Sequence, residues 1–338
     1  MYGINVHMNP NKLYRFIFPI GQGGFAFEIL NNTTVVYDCG SYTSQTLVEF
    51  YVDQLVYNQI DHIDFLFISH FDDDHVNGLT YLLNRVPRLC HALMPRIPDK
   101  YHYVYDVATG GAYDRTLSLL QEHHVEPFFV NEDEPVHRTG RAANGKDIWE
   151  WVGKAMMTQA DWNLVEQKMQ LKQIDMTRLQ DAGYLNQRRV DINDAFKAAL
   201  GSKGPNAKGL IMVSHELVAV EAALSHSLSY WLYNLGGPDF AACLYTGDNN
   251  LKRNNLPSIT QFLAQYKVAK LLLLQIPHHG SSSNSSRTLI RYLRSAFYFL
   301  CDKSSARFSK NRLFNLIGPI FVVRDVPSDI IITEVDFV

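Results

Sequence analysis

The six residues His70-Phe71-Asp72-Asp73-Asp74-His75 hold two imidazoles and three carboxylates. Like charges this close repel by about 1 kcal/mol per pair even at water-like dielectric. The run therefore calls for a compensating cation, and imidazole with carboxylate is a ligand set for zinc, manganese or iron. An acidic helix N-terminus would account for the aspartates through capping and the helix dipole, but not for the flanking histidines. Three further places carry metal-competent groups after an apolar run. Asp38 follows Val35-Val36-Tyr37, and Asp248 follows Leu244-Tyr245-Thr246-Gly247. His278-His279-Gly280 follows Leu272–Ile276 and Pro277. In α/β sheets functional groups collect at the carboxyl ends of strands. Each aspartate alone reads as a turn residue; four such ends in one chain do not.

The elements that must position these groups follow from hydrophobic period. LYRFIFPI over 13–20 alternates aromatics, a strand signal. FAFEIL (25–30) and TTVVY (33–37) are strands joined by a hairpin turn at Asn31-Asn32. Residues 44–58 carry apolar side chains at helical spacing, and IDFLFI (63–68) is apolar nearly throughout, as a strand buried on both faces should be. Leu79–Val86 reads as helix and Val125–Val130 as strand. The stretch 132–208 changes character: polar and glycine-rich over 139–146, then a long charged helical pattern over 160–180, ending in the breaker cluster GSKGPNAK. It is expected to be a helical insertion, partly solvent-facing, with a lid or a protein-binding arm as the alternative. Segments 227–235 and 240–246 are expected to form a hairpin. A helix over 259–266 and strands over 270–276, 296–301 and 330–338 complete the reading.

The site residues carry a resemblance. His70-x-Asp72-x-Asp74-His75 is similar to the HxHxDH loop of the metallo-β-lactamase fold hydrolases. Ile20-Gly21-Gln22-Gly23-Gly24, SHFDDDHVNG (69–78), Thr246-Gly247-Asp248 and Pro277-His278-His279-Gly280-Ser281 resemble the motifs of the metallo-hydrolase domain of DNA-uptake competence proteins. The likeness covers about residues 13–131 and 209–300. Two positions depart from the patterns. Asp72 stands where HxHxDH has its second histidine, as in the competence-type group, and Gly24 stands where the GQGD turn has aspartate.

The resemblance implies a single αββα four-layer sandwich over 1–338, with two divalent metal ions, zinc or manganese, at one sheet edge. One ion would take His70, Asp72 and a third ligand from the region before Asp248. His226 is the candidate, placed by the expected hairpin at the edge that carries Asp248; His215 is the runner-up. The second ion would take Asp74, His75 and His279, with Asp248 bridging. Asp74 would also orient the attacking water, and Asp38 would support the ligand loop from behind. An oxygen-rich first position favours manganese or magnesium over an all-zinc pair. The implied chemistry is hydrolysis by activated water, with a phosphodiester in a nucleic acid or nucleotide as the expected substrate and a lactone or thioester as the alternative. His278, Ser281, Ser282 and Asn284 are candidates to bind that substrate, and Arg287, Arg291 and Arg294 to follow a phosphate backbone. A metal-stabilised, non-catalytic binding protein is the remaining alternative.

Composition bounds these readings. The 338 residues are 46% hydrophobic and 19% charged, enough apolar material for a sizeable core. The formal charge of −3 gives no global field to collect nucleic acid or anionic membrane, so a polyanion would need a local patch. Cys39, Cys90, Cys243 and Cys301 form no CxxC pair, which argues against a zinc ribbon or a disulfide framework. With no apolar leader over MYGINVHMNPNK and no long apolar run, the expectation is a cytoplasmic chain without a membrane partner.

Overall fold

The computed structural model describes residues 8–86, 88–201, 204–226, 229–233, 240–249, 255–280, 293, 295–302, 320–326 and 329–337. In chain order the strands are β1 (Lys12–Ile17), β2 (Gly23–Leu30), β3 (Thr33–Ser41), β4 (His62–Phe67), β5 (Arg88–Pro95), β6 (Glu126–Val130), β7 (Val136–Arg141) and β8 (Asp147–Ala155). Then come β9 (Leu210–Glu216), β10 (Val220–His226), β11 (Ser229–Tyr233), β12 (Cys243–Tyr245), β13 (Leu271–Gln275), β14 (Ser295–Cys301), β15 (Ile320–Val323) and β16 (Ile331–Phe337). The helices are α1 (Gln45–Tyr57), α2 (Asp73–Val76), α3 (Leu79–Arg85), α4 (His102–Ala108), α5 (Ala112–Glu122), α6 (Gln159–Leu171), α7 (Ala182–Gln187), α8 (Arg189–Leu200) and α9 (Leu256–Gln265).

Two mixed sheets result. One runs β11-β10-β16-β1-β2-β3-β4-β5-β6, the other β15-β14-β13-β12-β9-β8-β7. Period-two patterning explains why they stack. In β1, Tyr14 and Phe16 pack toward the helices α1 and α3 to α8, while Leu13 and Ile17 face the other sheet. In β14, Phe297 and Phe299 face inward and Tyr298 and Leu300 pack with Ile259 and Phe262 of α9. Each face of each sheet is thus covered, giving helix, sheet, sheet, helix: the expected four-layer sandwich. Among the described residues no helix is long and apolar enough to cross a membrane.

Two expectations about elements change. The segment 132–208 is not wholly helical: β7 and β8 are integral to the second sheet, and only the part from Gln159 onward is helical. That part is not a solvated arm either. Trp162, Val165, Met169, Leu185, Ile192 and Phe196 are buried in the core beneath the first sheet. The expected hairpin between 227–235 and 240–246 does not form. β11 pairs with β10 in one sheet, and β12 pairs with β9 and β13 in the other. Both segments read as strands from their apolar content, but the chain changes sheet between them.

A buried polar node joins the sheets. Glu28 of β2 accepts from Arg15 Nε (2.7 Å), Tyr245 Oη (2.7 Å), Trp151 Nε1 (2.6 Å) and Ser214 Oγ (2.5 Å). Arg15 also donates to the Ala241 carbonyl at 3.1 Å, and Trp149 Nε1 to Ser214 Oγ at 2.8 Å. Breaking a buried pair leaves an uncompensated charge, so Glu28→Gln should cost roughly 3–5 kcal/mol in chemical denaturation. Lys12→Ala, which removes an exposed pair with Asp336, should cost under about 1 kcal/mol. A similar small loss for both would refute the assignment of Glu28 as the inter-sheet tie.

Candidate metal centre

The centre sits where the parallel strands of both sheets end. β3 and β4 pair in parallel with Tyr37 beside Phe67, and β12 and β13 with Leu244 beside Leu274. The Tyr37 and Tyr245 rings stack at 5.0 Å, and Tyr37 donates to the Leu210 carbonyl at 3.1 Å, bringing the two edges together. Asp38 lies within β3, as the extra residue of a β-bulge against Phe25 and Ala26, with φ of 54°. Bulges re-aim side chains beside functional sites. Here the bulge turns Asp38 toward the loop after β4.

Asp38 accepts three hydrogen bonds, from Ser69 N (2.7 Å), Ser69 Oγ (2.6 Å) and His75 Nδ1 (2.8 Å). Since the single Ser69 hydroxyl proton goes to the carboxylate, Ser69 Oγ must accept from His70 Nδ1, 2.8 Å away. This places the ring proton of His70 on Nδ1 and leaves Nε2 bare. His279 Nδ1 lies 2.5 Å from the Cys301 carbonyl, which can only accept. Its Nε2 therefore also turns to the centre. Two neighbouring glycines make room for this scaffold. A Cβ on Gly24 would stand 2.7 Å from His75 Nδ1, and one on Gly247, at φ 51°, 2.7 Å from Ser69 Oγ.

The exposed ends of these side chains converge. His70 Nε2 is 4.0 Å from Asp248 Oδ2 and 3.9 Å from Asp72 Oδ2. His75 Nε2 is 3.6 Å from Asp248 Oδ1. His279 Nε2 is 3.2 Å from Asp74 Oδ2 and 3.9 Å from Asp248 Oδ1. His278 Nε2 lies on the other oxygen of Asp248, at 3.5 Å. His70, His75 and Asp248 form one group able to hold a metal ion, and Asp74, His75 and His279 a second. His70 Nε2 and His75 Nε2 are buried with no hydrogen-bond partner. Native proteins rarely leave two such atoms unsatisfied, and bound divalent cations would satisfy both.

The electrostatics agree. Burial, reinforced by His75, pushes His70 down to about 3, so its ring is neutral and ready to ligate. Burial and the nearby Asp248 and Asp74 carboxylates push Asp72 up to about 6. For His75, burial works against the charged ring, but Asp38 and Asp248 outweigh it and hold the pKa well above the ordinary value. His279 is raised in the same way, burial being outweighed by Asp74 and Asp248. Asp248 is held well below the carboxylate range because its imidazole neighbours outweigh burial.

The other sequence candidates fall elsewhere. His215 is at the far end of β9, bound through Nε2 to Glu150 at 3.0 Å and through Nδ1 to the Glu216 carbonyl. It is a buried structural histidine. His226 ends β10 with its backbone beside Ile331. The hairpin that placed it next to Asp248 is absent, and β10 stands four strands from β3, roughly 19 Å along the sheet. Its side chain, and all of Ser281, Ser282, Asn284, Arg287, Arg291 and Arg294, lie outside the described residues. Three participants are not among the candidate site residues. Ser69 relays Asp38 to His70, Gln275 accepts from Thr246 N and Gly247 N to fix the turn before Asp248, and Asn206 lies beside Asp72.

Metal binding at His75 and His279 must displace protons that their carboxylate neighbours retain. Calorimetric titration with zinc or manganese at neutral pH, in buffers of differing ionisation enthalpy, should show release of on the order of one proton per chain. The apparent affinity should weaken as pH falls. A heat independent of buffer would contradict the raised imidazoles.

Residues 23–134, about a third of the chain, match the family model of the metallo-beta-lactamase superfamily. No curated protein matches the chain. Among solved structures, it is similar to the metallo-beta-lactamase fold protein YhfI from Bacillus subtilis at 10% identity and TM-score 0.44, over 94% of this chain and 98% of that one. A diphosphatase of the PhnP family is similar at 9% identity and TM-score 0.44, over 92% and 95%. The short form of human tRNase Z is similar at 12% identity and TM-score 0.43, over 92% and 96%. The stacked sheets, together with a matched segment that runs through Asp38 and the His70–His75 loop, give this chain the fold of the metallo-β-lactamase superfamily.

Proposed function

We propose that the protein is a hydrolase that works with two divalent metal ions and cleaves a phosphodiester in a nucleic acid or nucleotide. The observation that carries the reading is the convergence of His70, His75 and His279 Nε2 on Asp72, Asp74 and Asp248, with two ring nitrogens left unsatisfied. A bound ion pair supplies Lewis acidity, acidifying water and polarising a phosphoryl oxygen.

The chain's own residues do the rest. His70 and Asp72 would hold the first ion, and Asp74, His75 and His279 the second, with Asp248 within reach of both groups. Asp38 sets the His75 ring through Nδ1 and the His70 ring through Ser69, a positioning role. Asp74 Oδ2, 3.2 Å from His279 Nε2 and accepting from Gln22 of the glycine turn at 3.5 Å, is placed to orient a water for attack. His278, against Asp248 Oδ2, stands where it can donate to a substrate oxygen. The oxygen-rich donor set and the competence-type motif set support the phosphodiester over a carbonyl substrate.

The test assays the purified chain, loaded with manganese or zinc, on single- and double-stranded DNA and RNA, a chromogenic phosphodiester, a lactone and a thioester. Cleavage of at least one phosphodiester is expected, falling by at least ~10²-fold in Asp74→Ala. Turnover of the lactone or thioester alone would overturn the substrate class. No turnover of any substrate by the metal-loaded chain would overturn the enzyme reading in favour of a binding protein.

A further inference from the structure

We infer that Asn206 is a further metal ligand of the first position, acting through its side-chain oxygen. The inference rests on the two-ion reading above. His70 Nε2, Asp72 and Asp248 give that position one nitrogen and two carboxylates on the described chain. Asn206 adjoins them. Its side-chain amide lies beside the Asp72 carboxylate, and its Oδ1 is buried without a hydrogen-bond partner. An unsatisfied buried amide oxygen costs about 1–3 kcal/mol. A cation at the same position would satisfy it together with the His70 nitrogen.

The backbone holds Asn206 there by specific contacts. It lies in a 3₁₀ turn, Gly204–Lys208, that ends the helical part of the inserted stretch. Leu210 N donates to the Ser69 carbonyl at 2.6 Å, and a Cβ on Gly209 would stand 2.2 Å from that same oxygen. The turn is therefore pressed onto Ser69-His70, the first ligand and its support. On the other side Lys208 ties the turn to Asp161 of α6 at 3.3 Å and to Asn255 at 2.9 Å. The helices α6 to α8 thus carry a ligand to the centre, which gives the inserted stretch a task besides packing.

Asparagine is a neutral oxygen donor. One imidazole, two carboxylates and an amide oxygen make a harder set than three nitrogens, so the position should prefer manganese or magnesium to zinc. The second position, with two imidazoles, should not share that preference.

The test measures metal content and competitive manganese and zinc binding in wild type, Asn206→Ala and Asn206→His, with folding followed by circular dichroism. Manganese electron paramagnetic resonance reads the occupied positions directly. In the wild type two ions are expected, with manganese retained at one position against zinc. Asn206→Ala should keep its fold and lose about one ion per chain, while Asn206→His should shift the competition toward zinc by at least tenfold. Two ions bound with unchanged preference in both variants would overturn the role of Asn206 and leave the two-ion reading standing. No metal in the folded wild type after reconstitution would overturn both. Should Asn206→Ala fail to fold, a wild-type crystal soaked in manganese decides: an anomalous peak within coordination distance of Asn206 Oδ1 supports the ligand, and a peak beyond it does not.

Discussion

The geometry of the centre depends on one buried carboxylate, Asp38, and on the three hydrogens it accepts. Its bond to the Ser69 amide fixes the loop after β4, its bond to the Ser69 hydroxyl forces His70 into the Nδ1-protonated form, and its bond to His75 Nδ1 does the same for the second ring. A carboxylate can only accept, so the proton positions of both rings follow from it without further choice. The Nε2 atoms of both rings point inward. That is why no hydroxyl or amide elsewhere needs to enforce the tautomers.

The arrangement holds only if two sheets stay in register across the edge. Asp38 and the His70–His75 loop belong to one sheet, Asp248 and His278-His279 to the other. Their relative position is set by contacts deep in the inter-sheet core, above all Glu28, whose partners Tyr245 and Ser214 lie on β12 and β9. Tyr245 stands three residues before Asp248. Glu28 therefore also locates Asp248 at the edge. Apolar packing alone tolerates sliding between sheets, whereas a carboxylate with all its acceptor positions filled does not.

How much of this was legible in the sequence follows from how local each feature is. The cluster His70 to His75 is contiguous, and Asp38, Asp248 and His279 each follow an apolar strand, so residue type and neighbours suffice to nominate them. The bulge at Asp38 is invisible, because its register depends on β2. The failed hairpin at 227–246 and the nomination of His226 share a cause: both segments have strand composition, and nothing local records that the chain leaves one sheet for the other between them. His215 has the same composition signal as a ligand, and only Glu150 on the adjacent strand shows that its nitrogens are already used. Asn206 reads as a turn residue in a Gly-Pro-Asn breaker. Its proximity to Asp72 arises from the packing of α6 and α8, which no short window contains.

The turn that carries His278 and His279 shows what such a site costs the fold. His278 and His279 both adopt positive φ, 50° and 49°, a conformation uncommon outside glycine. Each such residue costs of order 1–3 kcal/mol and persists only where its surroundings hold it. Pro277 leads into the turn with fixed φ, Gly280 closes it, and the His279 Nδ1 bond to the Cys301 carbonyl clamps it to β14. These constraints turn adjacent histidines in different directions, one toward Asp74 and the other toward the far oxygen of Asp248. In a strand the two would have faced opposite sides of the sheet. The left-handed pair keeps both rings at the centre, and the strain it stores is offset when an ion binds the native state and not the unfolded chain.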